Sequence, residues 1–123
     1  MTQKDLKQQR DTIFAAPLES PAPFEFNAQV ADVFDNMIQR SVPGYNFLLD
    51  VIGLLAARYG QSQSNCYDLG CSLGTMTLRL RQNLPAGAHV IGVDNSAAMV
   101  SRCQHNMARD HSQASYEILQ QDL

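Results

Sequence analysis

The sequence has few features of secreted, membrane-inserted or nucleic-acid-binding proteins. Its three cysteines, Cys66, Cys71 and Cys103, are odd in number and lack metal-ligand spacing, which argues against a disulfide framework and a zinc site. No run of about 18 apolar residues occurs, and the polar N-terminus is unlike a signal peptide. Nine Lys and Arg against twelve Asp and Glu leave no basic excess for phosphates. We therefore expect a cytoplasmic protein with reduced thiols and without a nucleic-acid or membrane partner.

The composition fits one modest hydrophobic core, because 45% of the 123 residues are hydrophobic and 7% are aromatic. Residues 1–23 combine a polar start with three prolines, which predicts a flexible N-terminal arm. Apolar residues then recur twice at helical spacing, so we predict a helical cap over residues 24–63. Its first helix starts after the N-cap Asn27 and ends near Ser41. Its second helix covers residues 45–59, with a buried side formed by Leu48, Val51, Ile52, Leu55 and Tyr59.

Residues 64–123 alternate between strand and helix patterns. Strands are predicted at residues 65–69, 89–93 and 114–119, with a helix after each of the first two. The second of these helices is predicted to bury Met99, Cys103 and Met107. This order predicts an α/β, Rossmann-like fold with a parallel sheet and right-handed crossovers. Such sheets usually have about five or more strands, so we expect a truncated form of a longer protein, with a partner chain completing the sheet as the alternative.

The segment between the first strand and its helix carries the candidate binding chemistry. It reads Asp-Leu-Gly-Cys-Ser-Leu-Gly over residues 68–74, where glycines let the backbone approach a ligand and helix N–H groups favour negative charge. Asp94 follows the next strand, where a carboxylate can accept hydrogen bonds from both ribose hydroxyls. A dinucleotide fingerprint would need glycine at positions 72 and 75. The spacing instead fits Asp-x-Gly-x-(Gly/Ser)-x-Gly, the first motif of S-adenosylmethionine (SAM) enzymes.

Each candidate residue also has a structural interpretation. Gly70 and Gly74 can form a tight turn without a ligand, and Asp68 can cap that turn. Cys71 has no placed histidine or acid partner, so we interpret it as a small turn residue rather than a nucleophile. Asp122 follows the third strand, where a carboxylate could reach an adenine amino group, and only its position supports that role. The histidines share no metal-ligand spacing and are assigned to the surface: His89, His105 and His111.

Several runs of the chain resemble the carboxy-S-adenosyl-L-methionine synthase family in order and spacing. They are Arg-Asp-Thr-Ile-Phe at 10–14, Val-Ala-Asp-Val-Phe at 30–34, Met-Ile-Gln-Arg-Ser-Val-Pro-Gly-Tyr at 37–45, Tyr-Asp-Leu-Gly-Cys-Ser-Leu-Gly at 67–74, and Asp-Asn-Ser with Ala-Met within 94–99. The resemblance covers residues 10–123. It implies the N-terminal half of a class I methyltransferase-like fold, with residues 64–123 forming half of a SAM-binding domain.

The resemblance implies an activity other than methyl transfer. Members of the family convert SAM and prephenate into carboxy-SAM and phenylpyruvate, and a second enzyme uses the product to modify the wobble uridine of tRNA. SAM is then a substrate, the protein is a homodimer, and nucleic acid is not a direct partner. By matching motif, the implied ligand-binding residues are Tyr45, Gly70, Cys71, Ser72, Asp94, Asn95, Asp122 and Leu123.

The resemblance also implies a role for each part of this set. Tyr45 would contact the carboxylated sulfonium end of the ligand, and residues 70–72 would line its methionine part. Asp94 and Asn95 would hold the ribose and adenine, which Asp122 and Leu123 would bracket. The family's later elements, among them an Arg that neutralises the extra carboxylate, lie beyond residue 123, so prephenate-binding and catalytic residues are left unassigned. An ordinary SAM-dependent methyltransferase and a non-catalytic half-domain stay open as alternatives.

Overall fold

A computed structural model describes residues 25–123, which form four helices and one three-stranded sheet. The helices are α1 (Ala28–Ser41), α2 (Tyr45–Tyr59), α3 (Thr75–Asn83) and α4 (Ala97–Ala108). The strands are β1 (Asn65–Leu69), β2 (His89–Asp94) and β3 (Ser115–Gln120). The α/β fold predicted from the sequence is confirmed, whereas the predicted arm at residues 1–23 lies outside the described residues.

The three strands are parallel and lie in the order β1-β2-β3. β2 is the central strand, and Val90, Ile91 and Val93 are buried in it, as expected for a strand covered on both faces. β1 forms one edge of this sheet, and its Tyr67 and Leu69 side chains are exposed. Because all strands run the same way, the segments that follow them meet at one edge, where the turn motif also lies.

Local sequence signals set the helix ends. The Asn27 side chain accepts a hydrogen bond from Val30 N–H at 3.0 Å and caps α1, as predicted. Ser96 caps α4, because its hydroxyl accepts from Met99 N–H at 3.2 Å. None of these helices in residues 25–123 is long and apolar enough to span a membrane.

α4 buries the face that the sequence predicted. Met99, Cys103 and Met107 are each at most 1% exposed. Cys103 and Met107 pack in one cluster with Ile118 of β3, whereas Met99 packs with Val30 and Ala31 of α1. α4 thus joins the sheet to the leading helices, and α1 is held over the turn motif.

The predicted buried side of α2 is wrong. The buried residues are Leu49, Gly53 and Ala56, whereas Leu48 and Leu55 are each 46% exposed and Tyr59 is 67% exposed, with Val51 and Ile52 half-buried. Apolar residues surround most of this helix, so periodicity alone could not choose its packing face. Small residues determine which face of α2 packs against α3. An added Cβ on Gly53 would lie only 3.3 Å from Arg79 Cγ of α3, so the absence of a side chain there allows the two helices to approach closely. Ile52, Leu55 and Tyr59 instead line an open groove beside β1.

Candidate functional site

Two joined clefts lie at the edge where the strands end. The outer cleft, about 340 Å³, is lined by Gly70, Asp94, Asn95, Gln121, Asp122 and Leu123. The inner cleft, about 220 Å³, is lined by α1, α2, the turn and the start of α3, including Tyr45, Asp68, Gly70, Cys71, Ser72 and Thr75. Gly70 belongs to both clefts. All eight residues that the motifs pointed to therefore line this composite space, and Gln121 joins them as a residue that the sequence did not indicate.

The turn after β1 is held by β2. The N–H groups of Gly70 and Cys71 both donate to the Val93 carbonyl, at 2.7 and 2.9 Å. Gly70 and Ser72 adopt positive φ angles of 81° and 52°, which turn the chain sharply between β1 and α3. Glycine suits the first of these positions because it has no Cβ to clash. Since these bonds run to β2, the turn does not depend on a cap from Asp68.

Asp94 links the turn to the start of α4. One carboxylate oxygen accepts from Ser72 N–H at 3.0 Å, and the other accepts from Ser96 N–H at 2.9 Å. The Asp94 carbonyl also accepts from Gln121 N–H at 3.0 Å, which fixes the segment after β3. Each carboxylate oxygen keeps a second acceptor position. Asp94 can therefore accept hydrogen bonds from two neighbouring hydroxyl groups of a ligand in the outer cleft.

Tyr45 places a phenol at the inner cleft from the first turn of α2. Burial raises the pKa of this phenol, and the nearby Asp35 carboxylate raises it further, against a hydrogen bond with Thr75. Tyr45 is thus protonated at neutral pH, and its hydroxyl can donate a hydrogen bond to an anionic group.

Asp68 at the end of β1 also lines the inner cleft, and its hydrogen-bond partner is Thr77 of α3. The Thr77 hydroxyl donates to Asp68 Oδ2 at 2.7 Å, and Thr77 is fully buried. Burial raises the pKa of Asp68, the hydrogen bond from Thr77 lowers it, and the charge of Asp94 raises it. Sequence reasoning missed Thr77, because a single polar residue inside a helix gives no signal until the strand packed beneath it is known.

Cys71 is a buried turn residue. Its thiol pairs with Cys103 of α4, and this hydrogen bond together with burial raises the pKa of Cys71. A protonated, buried thiol is a poor nucleophile, which agrees with the interpretation as a small turn residue. Within residues 25–123, no group of three or more His, Cys, Asp and Glu side chains is placed to hold a metal ion.

Gly74 closes the turn and provides a test of it. Its φ is 86°, and an added Cβ would lie 2.6 Å from Cys103 Sγ. We expect Gly74→Ala to lower the free energy of unfolding by about 3 kcal/mol, because left-handed strain and overpacking of the core add together. Gly44→Ala is the matched control, since φ there is 71° but no atom lies within 4 Å of the new Cβ, so only about 1 kcal/mol of strain is expected. Urea unfolding measures the free energy of unfolding of both variants. Equal decreases in the two variants would contradict the close packing of Gly74 against Cys103.

The chain is similar to known proteins in sequence and in fold. Residues 67–123 match the family described as Methyltransferase domain. The chain is 50% identical over 115 residues to the carboxy-S-adenosyl-L-methionine synthase of Glaesserella parasuis, covering 93% of this chain and 48% of that protein. It is 44% identical over 124 residues to the protein of the same name from Photorhabdus laumondii, covering 100% of this chain and 49% of that protein.

A solved structure shares the fold. It is a crystal structure of a Methanococcus maripaludis protein described as an S-adenosyl-L-methionine-dependent methyltransferase, with a TM-score of 0.61, 19% identity, and coverage of 84% of this chain and 45% of that one. This likeness shows the fold alone. The sequence matches go further, although the chain spans about half the length of the curated relatives it matches. The resemblance indicated by the motifs is thereby confirmed: over about half of their length, the chain is similar in sequence to proteins named carboxy-S-adenosyl-L-methionine synthase.

Proposed function

We propose that this chain forms the SAM-binding part of a carboxy-SAM synthase, which converts SAM and prephenate into carboxy-SAM and phenylpyruvate. One observation carries the proposal: the eight residues assigned to the ligand by motif come from three strand ends and one helix start, and all line the two joined clefts. In open α/β sheets, ligands bind in the crevice at the carboxyl ends of the strands, which is where these residues lie. The names of the related proteins support the reaction.

We divide the ligand between the two clefts according to the residues that line each of them. The outer cleft takes the adenosine, with Asp94 and Asn95 at the ribose and adenine, and with Asp122 and Leu123 beside the base. The inner cleft takes the methionine end against residues 70–72. On this assignment the sulfonium lies near Gly70, which lines both clefts. Tyr45 then lies at the reacting end of the ligand.

The reaction requires that the methyl group of SAM gains a carboxyl group. Prephenate loses carbon dioxide and hydroxide to become phenylpyruvate, and the methyl carbon loses a proton to become a sulfonium ylide. The ylide carbon forms a bond with carbon dioxide, and the proton and hydroxide combine as water. In this scheme the protonated Tyr45 phenol donates a hydrogen bond to the new carboxylate, because its raised pKa keeps it a donor.

The proposal extends to the organisation of the protein. Residues 24–63 act as a helical cap over half of a SAM-binding domain at residues 64–123. The protein works as a cytoplasmic homodimer on prephenate and SAM, without direct contact with nucleic acid or membrane. The homodimer and the use of prephenate rest on the family resemblance, and the other statements rest on the composition and pattern of the sequence.

The test has a binding step and a reaction step. Isothermal titration of this chain with SAM should show one site. SAM and prephenate are then incubated with a chimera in which the chain replaces the matching half of the Glaesserella parasuis synthase. Mass spectrometry should detect SAM with one added carboxyl group, together with phenylpyruvate. S-adenosylhomocysteine formed independently of prephenate would instead support a methyltransferase, and a chain and chimera that both fail to bind SAM would refute the proposal.

A further inference from the structure

Three helices bring polar side chains together at the inner cleft. Tyr45 comes from the first turn of α2, Thr75 from the first turn of α3, and Asp35 from the middle of α1. All three residues are half-buried. Tyr45 and Thr75 line the cleft, and the Thr75 hydroxyl donates to Asp35 Oδ1 at 3.4 Å. The Tyr45 phenol thus has two polar neighbours that no sequence motif indicated.

Thr75 is the residue that joins the other two. Its hydroxyl is hydrogen-bonded to the Tyr45 phenol as well as to Asp35. A hydroxyl has one proton to donate and two positions at which it accepts. While the Thr75 proton is donated to Asp35, the phenol can share a hydrogen bond with Thr75 only by donating its own proton. The hydrogen bonds then run in one direction, from Tyr45 through Thr75 to the Asp35 carboxylate.

The hydrogen bonds can change direction at Thr75. Its distance of 3.4 Å from Asp35 is longer than the usual O–H···O distance of about 2.5–3.0 Å, so this bond is weak. When the phenol donates to another acceptor, the Thr75 proton can turn from Asp35 to the phenol oxygen. The hydrogen bond with Thr75 lowers the pKa of Tyr45, which is the effect of a hydroxyl that donates to the phenol oxygen. Thr75 can therefore support the phenol with or without an acceptor in the cleft.

Asp35 would compete with a ligand for the phenol if the Thr75 hydroxyl were absent. The charge of Asp35 acts on Tyr45 and raises the pKa of the phenol. Hydrogen bonds to a carboxylate are about twice as strong as those between neutral groups, so a carboxylate without the Thr75 proton would attract the phenol proton. Because Thr75 donates to Asp35, the phenol is kept available to the cleft.

We propose that Thr75 is a positioning residue, which holds the Tyr45 hydroxyl at the inner cleft so that it can donate to the carboxylate added to the ligand. This role rests on the proposed function, since that function places the new carboxylate at Tyr45. The phenol donates to the carboxylate and Thr75 donates to the phenol oxygen, so that each hydrogen bond polarises and strengthens the other. Asp35 holds the Thr75 hydroxyl when no carboxylate is bound.

A pair of ligands tests this role. SAM and carboxy-SAM share the adenosine and the amino-acid end, and only carboxy-SAM carries the added carboxylate. We expect Thr75→Val, which removes the hydroxyl at nearly constant shape, to weaken carboxy-SAM binding about fivefold more than SAM binding. Thr75→Ser retains the hydroxyl and should change the two affinities by the same factor. Calorimetric titration of this chain measures them. An equal change of both affinities in Thr75→Val, or a selective loss in Thr75→Ser as large as that in Thr75→Val, would overturn the role.

The Tyr45 phenol provides a second, spectroscopic readout. Carbon-13 NMR of its Cζ, assigned with Tyr45→Phe, follows the titration of the phenol. We expect a higher pKa of Tyr45 in Thr75→Val, because the hydrogen bond that lowers it is lost, and a lower pKa in Asp35→Asn, because a negative charge is lost. The Asp68 charge on β1 also raises the pKa of Tyr45 and is the same in both variants. An unchanged pKa in Thr75→Val would overturn the contact on which the role depends.

Failure of this role can be distinguished from failure of the proposed function. If the parent chain binds SAM but Thr75→Val affects both ligands equally, only the role of Thr75 fails. If the parent chain binds neither ligand, the proposed function and this role fail together. Circular dichroism confirms that each variant is folded. If Thr75→Val does not fold, Thr75→Ala serves in its place, and the same selective loss and the same rise in the pKa of Tyr45 are expected.

Discussion

Asp94→Ala should weaken SAM binding to this chain by about 100-fold, which corresponds to about 3 kcal/mol. Under the proposed function, Asp94 accepts hydrogen bonds from both ribose hydroxyls, and a hydrogen bond to a charged group contributes about 1.5–3 kcal/mol. The variant also frees the N–H groups of Ser72 and Ser96, which the carboxylate holds at 3.0 and 2.9 Å. The loss therefore combines missing ligand contacts with a looser turn. Isothermal titration measures the affinity.

Two further variants separate these contributions. Asp94→Asn keeps one acceptor oxygen and the shape of the side chain, so its affinity should lie between those of the parent and Asp94→Ala. Asp50→Asn is the matched control, because this carboxylate is exposed on α2, pairs with Arg79 at 3.0 Å and lies outside both clefts. Its affinity should equal that of the parent. If Asp94→Ala binds SAM normally while it is folded, the ribose contact is wrong.

Much of the fold could be predicted because its signals are local. Asn27 and Ser96 cap helices by accepting hydrogen bonds from residues three positions further along the chain. Because donor and acceptor are close in sequence, such caps can be predicted from the sequence. The observed bounds of α2 match the predicted residues 45–59. The position of the candidate site could also be predicted, since parallel strands bring the residues that follow them to one edge. A reader of the sequence needs only the strand ends to locate Gly70 and Asp94.

What could not be predicted depends on which surfaces meet. The packing face of α2 was misassigned because Gly53 and Ala56, rather than the larger side chains, allow close approach. Thr77 and Arg81 are the buried residues of α3, yet neither is apolar. Thr77 bonds to Asp68 on β1, and Arg81 bonds to the segment between α4 and β3. Only the tertiary structure brings these partners close to α3. Apolar periodicity carries no information about such polar pairs.

Arg81 joins α3 to the segment between α4 and β3. Its Nε donates to the Ala114 carbonyl at 2.7 Å, and its Nη2 donates to the Ser112 carbonyl at 2.8 Å. Its Nη1 donates to the Asp110 carbonyl at 2.9 Å and to the Asp110 carboxylate at 3.2 Å. The guanidinium also lies 4.6 Å from the centre of the Tyr116 ring. One buried side chain thus satisfies the backbone of the segment that leads into β3.

Arg81→Met should lower the free energy of unfolding by about 4 kcal/mol, because it leaves buried carbonyls without their donor and removes the positive charge beside the Asp110 carboxylate. Arg79→Met, two residues earlier in α3, is the matched control. The ion pair of Arg79 with Asp50 is exposed, so its removal should lower the free energy of unfolding by less than about 1 kcal/mol. Urea unfolding compares the two. Equal losses would show that Arg81 contributes no more than a surface ion pair. A selective loss would show that the contacts between α3 and the segment leading into β3 stabilise the fold more than the surface ion pair does.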